Sequence, residues 1–212
     1  MAFSQFKSLG ETALQYTLRV VDASFIEPIA DIEPNEFFLT RFRLVHQSRI
    51  YASSEAARCE TLIYPILQEV WQHYSSSLKL WSHAPLVQSE ILSGTPDYLF
   101  AQHSEYGSAV MGKPIFVAVE AKQDDFAVGW GQCAAEMVAA QRINADATTV
   151  FGIVTNGEIW QFAKLEGNIF TQELAFYAIS DLSKLFGALT FVMEECYKQA
   201  QKPELASLAT AK

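Results

Sequence analysis

Ile115-Phe116-Val117-Ala118-Val119-Glu120-Ala121-Lys122 is the stretch that most limits what this chain can fold into. β-Branched and aromatic residues in an unbroken apolar run read as a buried strand, until the last three positions bring in an acid and a base. Upstream stands Gly94-Thr95-Pro96-Asp97-Tyr98-Leu99-Phe100. It reads as a second strand, Pro96 to Gln102, with its proline at the first position, where a ladder tolerates one. Between them, His103 to Lys113 holds two glycines and several polar residues. That predicts a long hairpin loop and makes the two strands antiparallel neighbours.

Other elements follow from spacing and punctuation. Leu14 to Ile26 reads as a strand pair, and Pro34-Asn35-Glu36 as a helix start leading into Phe37 to Val45. Ser54 is placed to cap a helix that begins at Glu55. Cys59, Leu62, Ile63, Ile66, Leu67, Val70, Trp71 and Tyr74 then recur at helical spacing, and Pro65 among them predicts a kink or break. Leu86 to Leu92 alternates apolar and polar residues and is expected to be the first of three strands. Asp124-Asp125 caps a helix to about Ile143, and Thr148 to Thr155 is a β-branched run. Asn156-Gly157 signals a type I′ hairpin, with a return strand Glu158 to Leu165, a turn at Glu166-Gly167-Asn168 and a strand from Ile169 to Tyr177. Asp181 opens a last helix to about Gln199. Helix, three strands, helix and strand in that order give an α/β fold with a mixed sheet flanked by helices. The expected organisation is an N-terminal extension over 1–52, one domain over 53–201 and a flexible tail over 202–212.

Side chains alternate faces along a strand, so Glu120 and Lys122 share a face and Ala121 points away. Asp97, at the start of the antiparallel neighbour, is expected beside them. Two carboxylates this close repel, and one stays protonated unless a cation intervenes. A hard, oxygen-seeking ion such as Mg²⁺ relieves the repulsion and keeps waters for chemistry. Such an ion lowers the pKa of a bound water and neutralises phosphoryl charge, while Lys122 is placed to orient that water or to meet the added negative charge.

Composition sets limits. A chain of 212 residues supports one domain with a real core. No apolar run approaches the length of a membrane span, and the first residues carry no signal-peptide core, so the cytoplasm is the expected compartment. Cys59, Cys133 and Cys196 are far apart and show no zinc spacing, and they read as buried free thiols. The net charge of −9 runs against the basic footprint of most nucleic-acid binders. An acidic chain meets phosphate only where basic residues cluster or a metal supplies the local positive charge.

Taken together, these residues resemble the PD-(D/E)xK nuclease superfamily, with its restriction-endonuclease-like core in the order α-β-β-β-α-β. The match is nearest to the N-terminal nuclease domains of type I restriction subunits and to small stand-alone bacterial relatives. It is carried by Ser54-Glu55-Ala56 and Ile63-Tyr64-Pro65-Ile66-Leu67 in the first helix, by Gly94-Thr95-Pro96-Asp97-Tyr98 and Val119-Glu120-Ala121-Lys122, and by Gln132 in the second helix. It spans roughly Ser54 to Thr155. The resemblance implies Asp97 and Glu120 as ligands of Mg²⁺, with Mn²⁺ as a substitute and the Ala121 carbonyl as a further oxygen. It implies Lys122 as the catalytic lysine, Glu55 as a support near the metal, and Gln132 as a residue that positions the lysine or touches the nucleic-acid backbone. Some relatives carry an aromatic residue four positions after that glutamine. Here the position is Glu136, on the same helix face, where another acid would repel phosphate.

The implied activity is hydrolysis of DNA phosphodiester bonds by an endonuclease. Two alternatives stand beside it: a non-catalytic module that binds nucleic acid or a protein, and a subunit that works only with a helicase or restriction-modification partner. A homodimer is expected where both strands are cut. His46, His73, His83 and His103 show no metal spacing and read as ordinary histidines, with His103 the one nearest the site. Arg41, Arg43 and Arg49 read as a solvated helix face. Trp71, Trp130 and Trp160 read as core, and Trp81 as a loop residue.

Overall fold

The computed structural model describes residues 3–27, 34–145 and 148–210. In chain order the elements are α1 (Leu9–Tyr16), β1 (Arg19–Asp22), α2 (Glu36–Ser48), α3 (Glu55–Arg58), α4 (Tyr64–Trp71), β2 (Leu78–Ser82), β3 (Leu86–Val87), β4 (Ser93–Gly94), β5 (Tyr98–Gln102), β6 (Ile115–Ala121), α5 (Phe126–Ile143), β7 (Val150–Thr155), β8 (Ile159–Glu166), β9 (Ile169–Gln172), β10 (Tyr177–Ala178) and α6 (Leu182–Thr210). Eight strands form one mixed sheet in the order β1-β9-β8-β7-β6-β5-β2, with β10 alongside β8. β6 and β7 are parallel, as are β1 and β9, and the other pairs in the sheet are antiparallel. The protein is α/β, with helices on both faces of that sheet. No helix among the described residues is long and apolar enough to cross a membrane.

Two apolar layers hold the sheet. On one face, Ile63, Ile66, Leu67 and Val70 of the α4 region and Leu185, Leu189 and Val192 of α6 pack on Val117, Val119 and Ala121. On the other, Cys133, Ala134, Met137 and Val138 of α5 cover Ala118, Leu99 and Val154. The β5–β6 register slips between Phe100 and Ala101, which pair with Val117 and Ile115, so Phe116 is the extra residue of a bulge. From Val117 onward strict alternation directs Ala118, and therefore Glu120, at α5. Burial on both faces specifies such a register strongly, because a one-residue slip exchanges the faces.

Several helix starts follow their predicted caps. Asn35 accepts from the Phe38 N–H at 2.9 Å, Ser54 from Ala57 at 3.0 Å and Asp125 from Val128 at 3.0 Å. Pro65 does not break its helix. The turn before it, Cys59–Ile63, is a π-helix, and the Tyr64 N–H reaches back to the Cys59 carbonyl. That carbonyl also accepts from the Tyr98 hydroxyl at 3.1 Å, which ties the widened turn to β5. Cys59, Cys133 and Cys196 are buried and free.

Four expectations are corrected. The first central strand is Leu78–Ser82, not Leu86 to Leu92. Leu86–Val87 pairs only with Ser93–Gly94, in a ribbon apart from the sheet. Trp81 therefore lies in a strand, with the Lys79 ammonium 3.8 Å from its ring centroid. Leu14 to Ile26 is not a strand pair. Helix α1, capped by Ser8, runs through Tyr16 and ends at Thr17 in the left-handed region, leaving one strand parallel to β9. The turn at Asn156-Gly157 is not type I′, which needs positive φ at both central residues. Gly157 has φ +86°, while the Asn156 side chain accepts from the Glu158 and Ile159 N–H groups at 3.0 and 2.8 Å. Lastly, the strand from Ile169 stops at Gln172.

Glu173 stands directly after that strand end. Its carboxylate accepts from the N–H groups of Phe25, Ile26 and Ala175 at 2.7, 2.8 and 3.1 Å, and so pins the segment after β1 to the sheet. Burial acts to raise its pKa, but these three donors outweigh it and hold the group below the usual range. Such a lowered carboxylate stabilises the fold above its unfolded pKa and loses that effect as pH falls through its folded value. Glu173→Ala should cost about 2 kcal/mol at pH 7, measured by urea unfolding, and the deficit should shrink below pH 4.

Candidate functional site

The β5–β6 ladder ends at Tyr98, opposite Val119. From there the Asp97 side chain takes over. Its Oδ2 accepts from the Ala121 N–H at 2.7 Å, while its backbone carbonyl accepts from the His83 N–H at 2.9 Å. Tyr98 pairs with Val119, which brings the end of β6 alongside Asp97. Lys122 Nζ lies 2.7 Å from Glu120 Oε1, so the two do share a face. The Lys122 N–H donates to the Thr155 carbonyl at 2.9 Å, fixing the strand end against β7. Glu55, one residue past the Ser54 cap, accepts from the Gln123 N–H at 3.3 Å. Asp97, Glu120, Ala121, Lys122 and Glu55 are thus gathered at one end of the sheet.

Helix α5 closes the site from the sheet's face. It approaches closely at Gly129, where a Cβ would stand 2.7 Å from Val154 Cγ1 and 3.0 Å from Lys122 Cγ. One turn on, Cys133 Sγ lies 3.6 Å from the Ala118 carbonyl. Gln132 and Glu136 occupy the adjoining row of this helix. Gln132 Oε1 is buried without a hydrogen-bond partner, so the expected contact with Lys122 is not made through that oxygen. Glu136 is 2% exposed, and its Oε2 is buried and unpartnered.

The electrostatics reflect three acids facing one bonded ammonium. Burial, then the Asp97 charge, pushes Glu120 up to about 7 despite Lys122. Burial, then Glu120 and Asp97, pushes Glu136 well above the carboxylate range. Burial also raises Asp97, against the Ala121 N–H, Lys122 and His83. Lys122 is raised, because Glu120, Glu55 and Asp97 outweigh its own burial.

One residue at the site was not assigned to it from the sequence. His83 has φ +50°, and its Nε2 lies 3.5 Å from Asp97 Oδ1. A lone histidine just beyond an unrecognised strand carries no signal. His103, just past β5, contacts the Ser75 carbonyl at 2.9 Å. Glu136, placed near the site by its i, i+4 spacing from Gln132, lies buried there.

A divalent cation fits this donor set. The oxygens are hard carboxylate donors, the acids are crowded enough to retain protons, and buried oxygens on Glu136 and Gln132 lack partners. Among the described residues, no three His, Cys, Asp or Glu side chains form a ready-made metal cage. Mg²⁺ ordinarily takes one or two carboxylates and keeps several waters. No protein-family model and no curated protein matches the chain.

A raised carboxyl works in the opposite sense to Glu173. Between about pH 4.5 and 7 the folded state holds more protons at Glu120 than the unfolded chain does, so stability falls as pH rises through that window. In chelator, thermal unfolding should show a lower Tm at pH 7.5 than at pH 5.5, and Glu120→Gln should flatten the difference.

Proposed function

We propose that this protein is a divalent-cation-dependent phosphodiesterase that cuts DNA internally, built on a restriction-endonuclease-like core. The observation that carries it is the convergence of Asp97, Glu120 and Lys122 at adjoining strand ends, with Lys122 Nζ 2.7 Å from Glu120 and Asp97 bonded to the intervening Ala121. The order helix, β2, β5, β6, α5, β7 is compatible with that core. Asp97 and Glu120, with the Ala121 carbonyl, would hold Mg²⁺ or Mn²⁺. When bound, such an ion supplies an activated water and neutralises phosphoryl charge.

The chain's own groups do the rest. Asp97 is oriented by the Ala121 N–H. Glu120 fixes the Lys122 ammonium, the positive group that meets charge added to the phosphoryl oxygens. Glu55 braces the chain just after Lys122 through the Gln123 N–H, and Gln132 lies one turn beyond the Gly129 contact with Lys122. Three buried, unpaired thiols suit a reducing cytoplasm. Cutting both strands takes two such sites, which a homodimer provides.

A second reading, a subunit that works only with a partner such as a helicase, is favoured by one specific observation. Glu55, Asp124 and Asp125 are exposed beside the site on a chain of net charge −9. Such a rim repels a polyanion, so a partner would supply the basic surface that holds the nucleic acid.

The test is cleavage of supercoiled, linear and single-stranded DNA, and of RNA, with Mg²⁺ or Mn²⁺ at low salt. Asp97→Ala and Lys122→Ala should each lower the rate by about 10²-fold or more while the far-UV spectrum is kept. Equal cleavage by wild type and both variants would place the activity elsewhere. No cleavage by wild type alone, restored by a co-purifying partner, would establish the second reading.

A further inference from the structure

His83 is turned toward Asp97 by its backbone and its ring together. Ser82 pairs with Tyr98 at the end of the β2–β5 ladder, which sets the following residue beside Asp97. There His83 takes φ +50°, a left-handed conformation that costs any residue with a Cβ and that collects at functional sites. Its N–H donates to the Asp97 carbonyl at 2.9 Å, and its ring stands edge-on to Tyr98 with centroids 5.8 Å apart. Nδ1 lies 2.8 Å from Ser82 Oγ. When Nδ1–H donates to that hydroxyl, Nε2 carries the free lone pair. A histidine that binds a metal commonly has its far nitrogen held in this way.

Nε2 lies 3.5 Å from Asp97 Oδ1. That is too long for a good hydrogen bond. It suits two donors that share one ion, since bonds of about 2.1 Å at octahedral or tetrahedral angles set the donor atoms roughly 3.0–3.4 Å apart. Asp97 Oδ2 is taken by the Ala121 N–H, so Oδ1 is the oxygen left for an ion. The His83 side chain is 57% exposed, which leaves Nε2 open to an ion that keeps its waters. We propose that His83 is a ligand of the divalent-cation site, its Nε2 binding the same ion as Asp97 Oδ1. The role rests on the metal-site reading above. It also sets the choice of ion: an imidazole nitrogen suits first-row transition ions, whereas Mg²⁺ favours an all-oxygen set, so His83 tips the site toward Mn²⁺.

The experiment is pulsed electron paramagnetic resonance of Mn²⁺ bound to wild type, His83→Gly and Asp97→Ala, beside calorimetric titration of each with Mn²⁺ and with Mg²⁺. Glycine adopts the left-handed backbone freely, so the variant keeps the contact with the Asp97 carbonyl. Wild type should show a nitrogen bound directly to manganese, assigned to histidine by isotope labelling. His83→Gly should lose that coupling and weaken Mn²⁺ binding by about 10-fold or more, and Mg²⁺ binding by less. Manganese bound through Asp97 with no histidine nitrogen overturns the role of His83 and leaves the carboxylate site intact. A histidine coupling that survives in His83→Gly overturns it too, because another histidine is then the ligand. Equal weakening of both ions in that variant makes His83 a structural support and contradicts the proposal as well. Absence of Mn²⁺ binding by wild type, or wild-type affinity in Asp97→Ala, removes the metal site itself, and the role of His83 with it.

Discussion

The site depends on where the β5–β6 ladder ends. Backbone pairing between the strands ends at Tyr98 and Val119, and beyond it the Asp97 carboxylate accepts the Ala121 N–H. This one hydrogen bond holds the acid of one strand against the strand end that carries Glu120 and Lys122. Because it uses a carboxylate oxygen, it also draws negative charge into a half-buried corner of the sheet. The raised pKa values of Asp97 and Glu120 follow first from that burial, then from neighbouring charges.

The bulge at Phe116 decides which way the chemistry faces. With one extra residue in β6, Val117, Val119 and Ala121 pack under α4 and α6, and Ala118 and Glu120 turn to α5. Glu120 thereby meets Glu136, and Lys122 comes under Gly129. The close approach at Gly129 needs the missing side chain, since a methyl group would meet Val154 and Lys122. Fold and site share these contacts, so the helix that completes the core is also the one that shapes the acid cluster.

Much of this was legible beforehand, and for definite reasons. The Ile115–Ala121 run, its antiparallel neighbour and the Asp125-capped helix all have local signals: β-branched residues, a proline at a strand start, an acid at an N-cap. Those signals placed Asp97, Glu120 and Lys122 together correctly. The failures share a cause as well. Leu78–Ser82 is a short, half-buried edge strand whose alternation is weak, whereas Leu86 to Leu92 alternates well but has only a two-residue partner. The left-handed His83 and the burial of Glu136 depend on contacts between segments distant in sequence, which periodicity does not report.

Diffraction from crystals soaked in Mn²⁺, with the metal located by its anomalous signal, tests the central claim most directly. The account predicts a peak about 2.0–2.4 Å from carboxylate oxygens of both Asp97 and Glu120, lost in Asp97→Ala crystals. A fully soaked crystal with no peak there, or with manganese only on the exposed acids around Asp124 and Asp125, would contradict it.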